Sequence, residues 1–444
     1  MQITVRKGHN IKLAGQPASD IEELQKPEKI AVLPERIPFI KPRLKTAWGE
    51  RVKIGSPLFE DKHNPDIVFL SPGSGRIIDI NYGDRRVIKE IVITLDDEEQ
   101  KETFKSVSEE DIDTLNRDDL IEMLLKGGLW QLLRQLPFRH IADYKSVPPS
   151  IIISLDSLDY FQPSSDLYLA GNEELFMFGL KLMQKLSDRV YVSALNRVKL
   201  PQNITEIVSH TVSGKYPADD PGVLLYHIKK TPEENNAWFL NGQDLLLIAS
   251  LIKTGVYPTT KMFAVAGTGV NAKRFVNARI GSPAAYLAGT QNDEKKLRFV
   301  TGGAFRGYTL PSDSYMGFYE SSLTIMPEGD DEEFFGFVRP GFNRQSYSKT
   351  FLSFFNKSKI DMSCNIHGEL RACINCGTCK TICPVDIYPQ FTFKCLEADE
   401  IEEALAHGLL DCVECGLCTY VCPSKIEINQ KIKTAKAEYH KERA

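Results

Sequence analysis

Eight of the chain's ten cysteines fall into two matching runs near its C-terminus, and none occurs before Cys364. The first run is Cys373, Cys376, Cys379 and Cys383, followed by Pro384; the second is Cys412, Cys415, Cys418 and Cys422, followed by Pro423. Each reads C-x2-C-x2-C-x3-C-P. That spacing wraps backbone around a [4Fe–4S] cube, and in the bacterial two-cluster pattern the fourth cysteine of each run ligates the other cube. One cube is thereby assigned to Cys373, Cys376, Cys379 and Cys422, and the second to Cys412, Cys415, Cys418 and Cys383. The prolines stop local helix just after each crossing ligand. Such a module moves electrons one at a time.

Other uses of these cysteines fit poorly. A disulfide framework suits a small chain in an oxidising compartment. This chain has 444 residues, and its opening alternates polar and apolar residues without the apolar core of a signal peptide. Structural zinc uses pairs of C-x2-C and leaves the third and fourth cysteines unexplained. Cys364 and Cys395 lie outside the runs and are expected to be buried reduced thiols.

The length suggests about three domains. A net charge of −5 gives no electrostatic case for nucleic acid, which calls for a basic patch. The longest apolar stretch, Leu245 to Ile252, is far too short to span a bilayer, so a membrane connection must run through a partner. The acidic run Glu328 to Glu333 reads as a solvated loop.

The expected organisation is α/β and multidomain. Residues 1–105 read as a β-rich, carrier-like module, with Ile77 to Ile80 and Ile91 to Thr94 as strands between glycines and prolines. The phrases GERVKIGSPLFED and SPGSGRIIDINYGD resemble the barrel-sandwich of biotinyl and lipoyl carriers. The modifiable lysine of such carriers would fall near Asn64, and Lys62 is out of place, so the fold is expected without the swinging arm. Residues 106–255 read as an α/β domain. Asp118 to Leu125, Leu129 to Leu136 and Glu174 to Leu186 carry apolar residues at helical spacing. Ile151 to Ser154, Val190 to Val192 and Val223 to Tyr226 read as buried strands. Residues 256–345 form a small turn-rich domain, and 346–444 a helical domain holding both cysteine runs. Between the runs Ile401, Ala404, Leu405 and Leu409 make an apolar helical stripe.

Gly267 to Ala272 fits G-x-G-x-x-A after the apolar run Phe263 to Ala266. In a dinucleotide site such glycines admit the pyrophosphate at a helix N-terminus. Here the next acidic residue, Asp293, lies beyond a glycine-proline stretch, and a tight turn at a domain edge is expected instead.

Longer segments resemble one family. VRKGHNIKLAGQP near the start, GLWQLLRQLPF at Gly128 to Phe138 and NGQDLLLI at Asn241 to Ile248 are similar to the A subunit of the sodium-translocating NADH:quinone oxidoreductase. So are SYMGFYESSLTIMPEG at Ser314 to Gly329, the stretch from Phe334 to Ser353, and LCTYVCPSKIEI at Leu417 to Ile428. The resemblance covers nearly the full length. It implies a barrel-sandwich module, a Rossmann-like domain, a small β-grasp-type (SLBB-type) domain and a helical C-terminus. It also implies a peripheral subunit on the cytoplasmic face of the bacterial inner membrane. There it would work beside integral membrane and flavin-bearing subunits and be associated with ubiquinone or another quinone. NADH oxidation would belong to the flavin-bearing subunit, and neither FMN nor NAD is expected on this chain.

The cysteine runs depart from that family, whose typical members keep only a remnant of the second run. Two intact runs resemble the C subunit of the Rnf ferredoxin:NAD oxidoreductase, but the GGAGFPTG flavin loop of that relative is absent. SGKYPADDPG, at Ser213 to Gly222, lies between the two families. Three functions follow. The first is a redox subunit of an ion-translocating quinone reductase, not catalytic alone, that relays electrons through two cubes. The others are an Rnf-like role and a docking subunit with structural clusters. For a quinone head, Tyr226, His227, Trp238 and Arg339 are candidates by residue type, with ordinary packing the preferred reading of each. His367 could donate to a cluster sulfur or lie at the surface.

Overall fold

The computed structural model describes the chain except for residues 292–295, 330–334, 336, 337, 339, 349, 362, 363, 366, 367 and 444. Asp293, Arg339, His367 and most of the acidic run after Gly329 therefore lie outside the described residues.

A seven-stranded sheet forms the centre of the molecule. In spatial order its strands are Gln2–Val5, His210–Gly214, Val190–Leu195, Ile151–Ser154, Trp238–Asn241, Arg134–Gln135 and His140–Ile141. The first five run parallel; Arg134–Gln135 runs antiparallel to them and His140–Ile141 antiparallel to it in turn. A parallel strand is covered on both faces, so its sequence is continuously apolar. Ile151 and Ile153 point into the core beneath the helices Arg117–Lys126, Glu173–Leu186 and Gly242–Thr254. Ile152, between them, points the other way, into a second core shared with Val223, Leu224, Val413 and Cys415. The cysteine module is thus the cover of the sheet's second face.

Local signals place the helices. Asn116 and Asn241 cap their helices by accepting the amide of Asp119 and Asp244. Gly255, with φ of +68°, ends the second of these. Gly179 lets two helices touch, since a Cβ there would meet Leu245 at 2.9 Å.

Two expectations are corrected in this region. Val223 to Tyr226 is helical, inside Pro221–Ile228, because Asp220 caps the Gly222 amide and Pro221 is preset for a first helical turn. Its apolar run is a buried helix, which periodicity cannot separate from a strand over so short a stretch. Leu129 to Leu136 is a short 3-10 turn, Trp130–Leu132, leading into the strand Arg134–Gln135.

Two small antiparallel sheets make the N-terminal module. One joins Lys29–Val32, Ile88–Leu95, Gly75–Tyr82 and Arg51–Val52; the other joins Pro42–Leu44, Pro57–Asp61 and Val68–Leu70. Phe59 and Phe69 stack at 4.5 Å between them. The strands before Lys29 lie elsewhere. Gln2–Val5 enters the parallel sheet, its Ile3 and Val5 buried, and Ile21–Glu23 adds an edge strand to a third sheet.

That third sheet is mixed and six-stranded, in the order Tyr308–Leu310, Leu297–Thr301, Ser322–Pro327, Thr260–Ala266, Arg274–Arg279 and Ile21–Glu23. The Gly267 motif is its hairpin turn, for the chain returns antiparallel as Arg274–Arg279 rather than entering a helix. Gly267 has φ of +100°, and a Cβ there would sit 2.0 Å from the Ile325 carbonyl.

Candidate iron–sulfur site

The two cysteine runs fold as two copies of one unit. Asn375 and Gly377 have φ of +54° and +72°; their counterparts in the second run, Glu414 and Gly416, have +56° and +76°. These left-handed residues curl the backbone so that the cysteines on either side face one centre. Short helices, Thr378–Ile382 and Leu417–Tyr420, then carry Cys379 and Cys418 inward. After the prolines the chain turns again at Asp386 and Lys425, both at +56°, and enters Pro389–Glu397 or Ile428–Arg443.

Each copy lends its last cysteine to the other. One cavity is lined by Cys412, Cys415, Cys418 and Cys383, walled by Val385, Ile387, Leu417 and Ile432. A second is lined by Cys373, Cys376, Cys379 and Cys422, with Ile374, Phe393 and Ile428. Cys379 also borders the first. All ten cysteines are unbridged, and Cys364 and Cys395, expected to be buried, are half-buried. Among the described residues no three His, Cys, Asp or Glu side chains converge on a single ion.

Electrostatics fit an anionic sulfur cage that needs bound iron. Burial pushes the Cys383 and Cys415 thiols up to about 12 and Cys418 well above its ordinary value. Backbone amides oppose this: those of Val385 and Ile387 reach Cys383, and that of Leu417 reaches Cys415. The Glu414 amide lies 3.4 Å from the Cys412 sulfur. Metal charge completes what these dipoles begin, since a coordinating thiol gives up its proton.

The two cavities differ in exposure. Cys376 is exposed, and its neighbour Ile374 is 68% accessible. The loop Cys412 to Cys415 faces inward, and its carbonyls accept from the buried Lys436 and Tyr216 and the half-buried Arg139. Lys436 reaches the Cys412 carbonyl at 2.9 Å, Arg139 reaches that of Val413 at 3.2 Å, and Tyr216 reaches that of Cys415 at 2.9 Å. Lys7 and Tyr226 both hold Asp386, and Lys229 pairs with Asp411 at 2.9 Å. Sequence reasoning missed these clamps. Only the Asp220-Pro221 cap signal pointed to the helix that bears Tyr226 and leads into Lys229.

Of the described quinone candidates, Tyr226 and His227 lie ring to ring at 5.2 Å, and Trp238 sits in a different core. Trp238 is wholly buried edge-on to Trp130 at 5.5 Å, an ordinary core pair. Tyr226 faces the cysteine module, and His227 beside it is exposed.

A different cavity, of about 320 Å³, opens where the parallel strands Ile151–Ser154 and Trp238–Asn241 end side by side. The chain places one strand to either side of Ile151–Ser154, and ligands favour such reversals of strand order. Here Asp156, Asp159, Asp219, Asp220, Asp244 and Glu320 outnumber Arg134, Arg139 and Arg306. Burial pushes Asp219 and Asp244 up to about 6. Asp220, fully buried, stays below its ordinary value: burial pulls it up, but the Arg139 and Arg306 guanidiniums at 2.8 and 2.7 Å win. A phosphate would meet net negative charge here.

Comparison with known proteins matches these regions in turn. The family model for the NqrA N-terminal barrel-sandwich hybrid domain matches residues 3–96, and that for the NqrA second alpha/beta domain matches 115–257. A 4Fe-4S dicluster domain model matches 372–426. Among curated relatives, the A subunit of the Na(+)-translocating NADH-quinone reductase of Actinobacillus pleuropneumoniae serotype 5b is 30% identical over 416 residues, 92% of either chain. The corresponding proteins of Histophilus somni and Haemophilus influenzae are 29% and 28% identical, again over 92% of either chain. An NAD+-reducing [NiFe]-hydrogenase structure aligns over 52% of either chain at 12% identity and a TM-score of 0.36, a likeness that carries no argument.

Proposed function

The chain belongs to the A-subunit family of the Na+-translocating NADH-quinone reductase, with a C-terminal 4Fe-4S domain, and on that premise we propose that it relays electrons on the quinone-reducing side of such a complex. The observation that carries the relay is the pair of four-cysteine cavities, one bearing the exposed Cys376 and the other packed against the core it shares with the α/β sheet. Cys373, Cys376, Cys379 and Cys422 would hold one [4Fe–4S] cube, and Cys412, Cys415, Cys418 and Cys383 the other. A bound cube supplies one-electron transfer at a potential tuned by its surroundings. The chain's residues do the rest. Apolar walls at Leu417, Ile432 and Phe393 exclude water, and the amides of Val385, Ile387 and Leu417 steady the sulfur charge.

On this reading the chain divides into the same four domains, except that the residues before Lys29 lend strands to the α/β and third domains, with the α/β domain Rossmann-like and the third β-grasp-like. The partners are integral membrane and flavin-bearing subunits on the cytoplasmic face of the inner membrane. No helix among the described residues is long and apolar enough to cross a membrane. The intact cysteine runs also support a second reading, an Rnf-like subunit that exchanges electrons with ferredoxin. Titrating the iron–sulfur signals of the native complex with NADH and with quinone decides among the functions. Reduction by NADH and reoxidation by quinone within a turnover supports the relay. Signals that never respond leave only a structural role.

A further inference from the structure

The two halves of the cysteine module are matched in backbone but not in charge. At the position of Glu414 in the second half the first half has Asn375, and at that of Lys436 it has Glu397. Glu397 is exposed and pairs outward with Lys431 at 2.9 Å. Lys436 is 2% accessible, and its ammonium is fully used. It donates to the Glu414 carboxylate at 2.7 Å, the Cys412 carbonyl at 2.9 Å and the Pro137 carbonyl at 3.0 Å. An ammonium has three donors, so this one has no freedom to turn away.

We propose that the buried pair Lys436 and Glu414 sets the reduction potential of the inner cube apart from that of the outer one. The inference rests on the two-cube reading above. A cube's reduced form carries one more negative charge than its oxidised form, so a fixed cation nearby favours reduction and a fixed anion opposes it. Burial also opposes reduction, because it removes the solvent that would stabilise the added charge. The inner cavity is the buried one, and without a cation beside it the inner cube would be the harder of the two to reduce. Lys436 offsets that penalty, and Arg139, 3.2 Å from the next carbonyl along, acts in the same direction. Glu414 limits the effect. An electron that enters at the exposed side is then drawn inward, toward the α/β sheet, rather than held at the surface.

The test is potentiometric spectroscopy on the anaerobically reconstituted full chain, with the cubes resolved by their signals. Glu414→Gln keeps an acceptor for Lys436 but removes the anion, and it should move the inner cube to higher potential. Lys436→Gln should move it to lower potential, Lys436→Arg should hold it near the parent value, and the Lys436→Gln/Glu414→Gln pair should fall between the parent and Lys436→Gln. The outer cube should stay in place throughout. Shifts of the same sign in the two single variants, equal shifts of both cubes, or no shift at all would overturn the proposal. A merely structural pair would loosen the loop in either variant and could not give opposite signs. If Lys436→Gln does not retain its iron, the direction seen in Glu414→Gln decides. A parent protein with only one cube overturns the two-cube reading first, an outcome distinct from two cubes whose potentials ignore both substitutions.

Discussion

Tyr216 donates its hydroxyl to the carbonyl of Cys415 at 2.9 Å, far along the sequence. Its ring is wholly buried and lies stacked on Phe305, 4.8 Å away, so one side chain ties together the α/β sheet, the third domain and the second cysteine loop. The module is therefore fixed to the sheet through its ligand loop. Tyr216→Phe keeps the ring and removes the bond, leaving a buried carbonyl without that donor. The expected cost is about 1 kcal/mol, with iron at the inner site lost faster to a chelator and iron at the outer site unaffected. Following iron release by absorbance after chelator addition checks this. Equal release from both sites would deny the clamp.

If each half lends its last cysteine to the other's cube, as the cavity linings suggest, ligand loss should act at a distance in sequence. The parent chain is expected to hold about eight iron and eight sulfide when reconstituted without oxygen. Cys383→Ala should damage the cube of Cys412, Cys415 and Cys418, and Cys422→Ala that of Cys373, Cys376 and Cys379. Iron analysis with cluster-resolved spectra tells the cases apart. A Cys383→Ala protein that loses the other cube rules out the crossing.

Asp219 gives the fold a pH signature. Burial raises its carboxyl from an ordinary 3.8 to about 6, against the pull of Arg306. Between those values the folded chain holds a proton that the unfolded chain would release. Its contribution to stability is therefore full below about 4 and is lost as pH rises through 6. Asp219→Asn cannot lose it. The variant's melting temperature, measured against the parent's, should climb from pH 4 to pH 7. A difference that is flat or falls with pH would show that Asp219 ionises normally.

Neither FMN nor NADH should bind the isolated chain with useful affinity. The cavity at the carboxyl ends of the parallel strands is where a nucleotide would be sought, yet carboxyls dominate its lining. The Gly267 motif is a hairpin turn. Calorimetric titration of the full chain with each ligand should give only heats of dilution. Stoichiometric micromolar binding of either would move the protein to the Rnf-like reading.

The cysteine module was legible because its chemistry is local: ligand spacing, left-handed turns and prolines all sit between Cys373 and Pro423. The helix Glu173–Leu186 was legible for the same reason, through its unbroken apolar period. What failed was long-range or short. Gln2–Val5 pairs with His210–Gly214, a strand in a different part of the sequence, and nothing in its brief alternation announces a parallel partner. Val223 to Tyr226 is too short for its period to decide, and only the Asp220-Pro221 cap could have corrected it. Lys436 was invisible, since a lysine on a charged terminal helix reads as solvated until three carbonyl and carboxylate oxygens are found around it.

The last prediction concerns the assembly. An electron relay needs a source and a sink, and membership of a family named for a Na+-translocating reductase points to other subunits for both. The exposed cysteine set is the place for one of them to approach: Cys376 is open to solvent, and Leu370 and Ile374 beside it are 73% and 68% accessible. Apolar side chains that exposed are costly to leave in water and are covered cheaply by a partner. No described helix is long and apolar enough to cross a bilayer. The protein should therefore sediment with membranes in a complex of integral subunits and leave them when protein contacts are disrupted. Ile374→Glu should weaken that association and slow reduction of the exposed cube, while the inner cube keeps its iron. Gentle fractionation with cross-linking is the measurement. A chain found free of membranes, with no integral partner captured, would defeat the quinone-reductase and Rnf-like readings together and make a soluble ferredoxin-type oxidoreductase the better account.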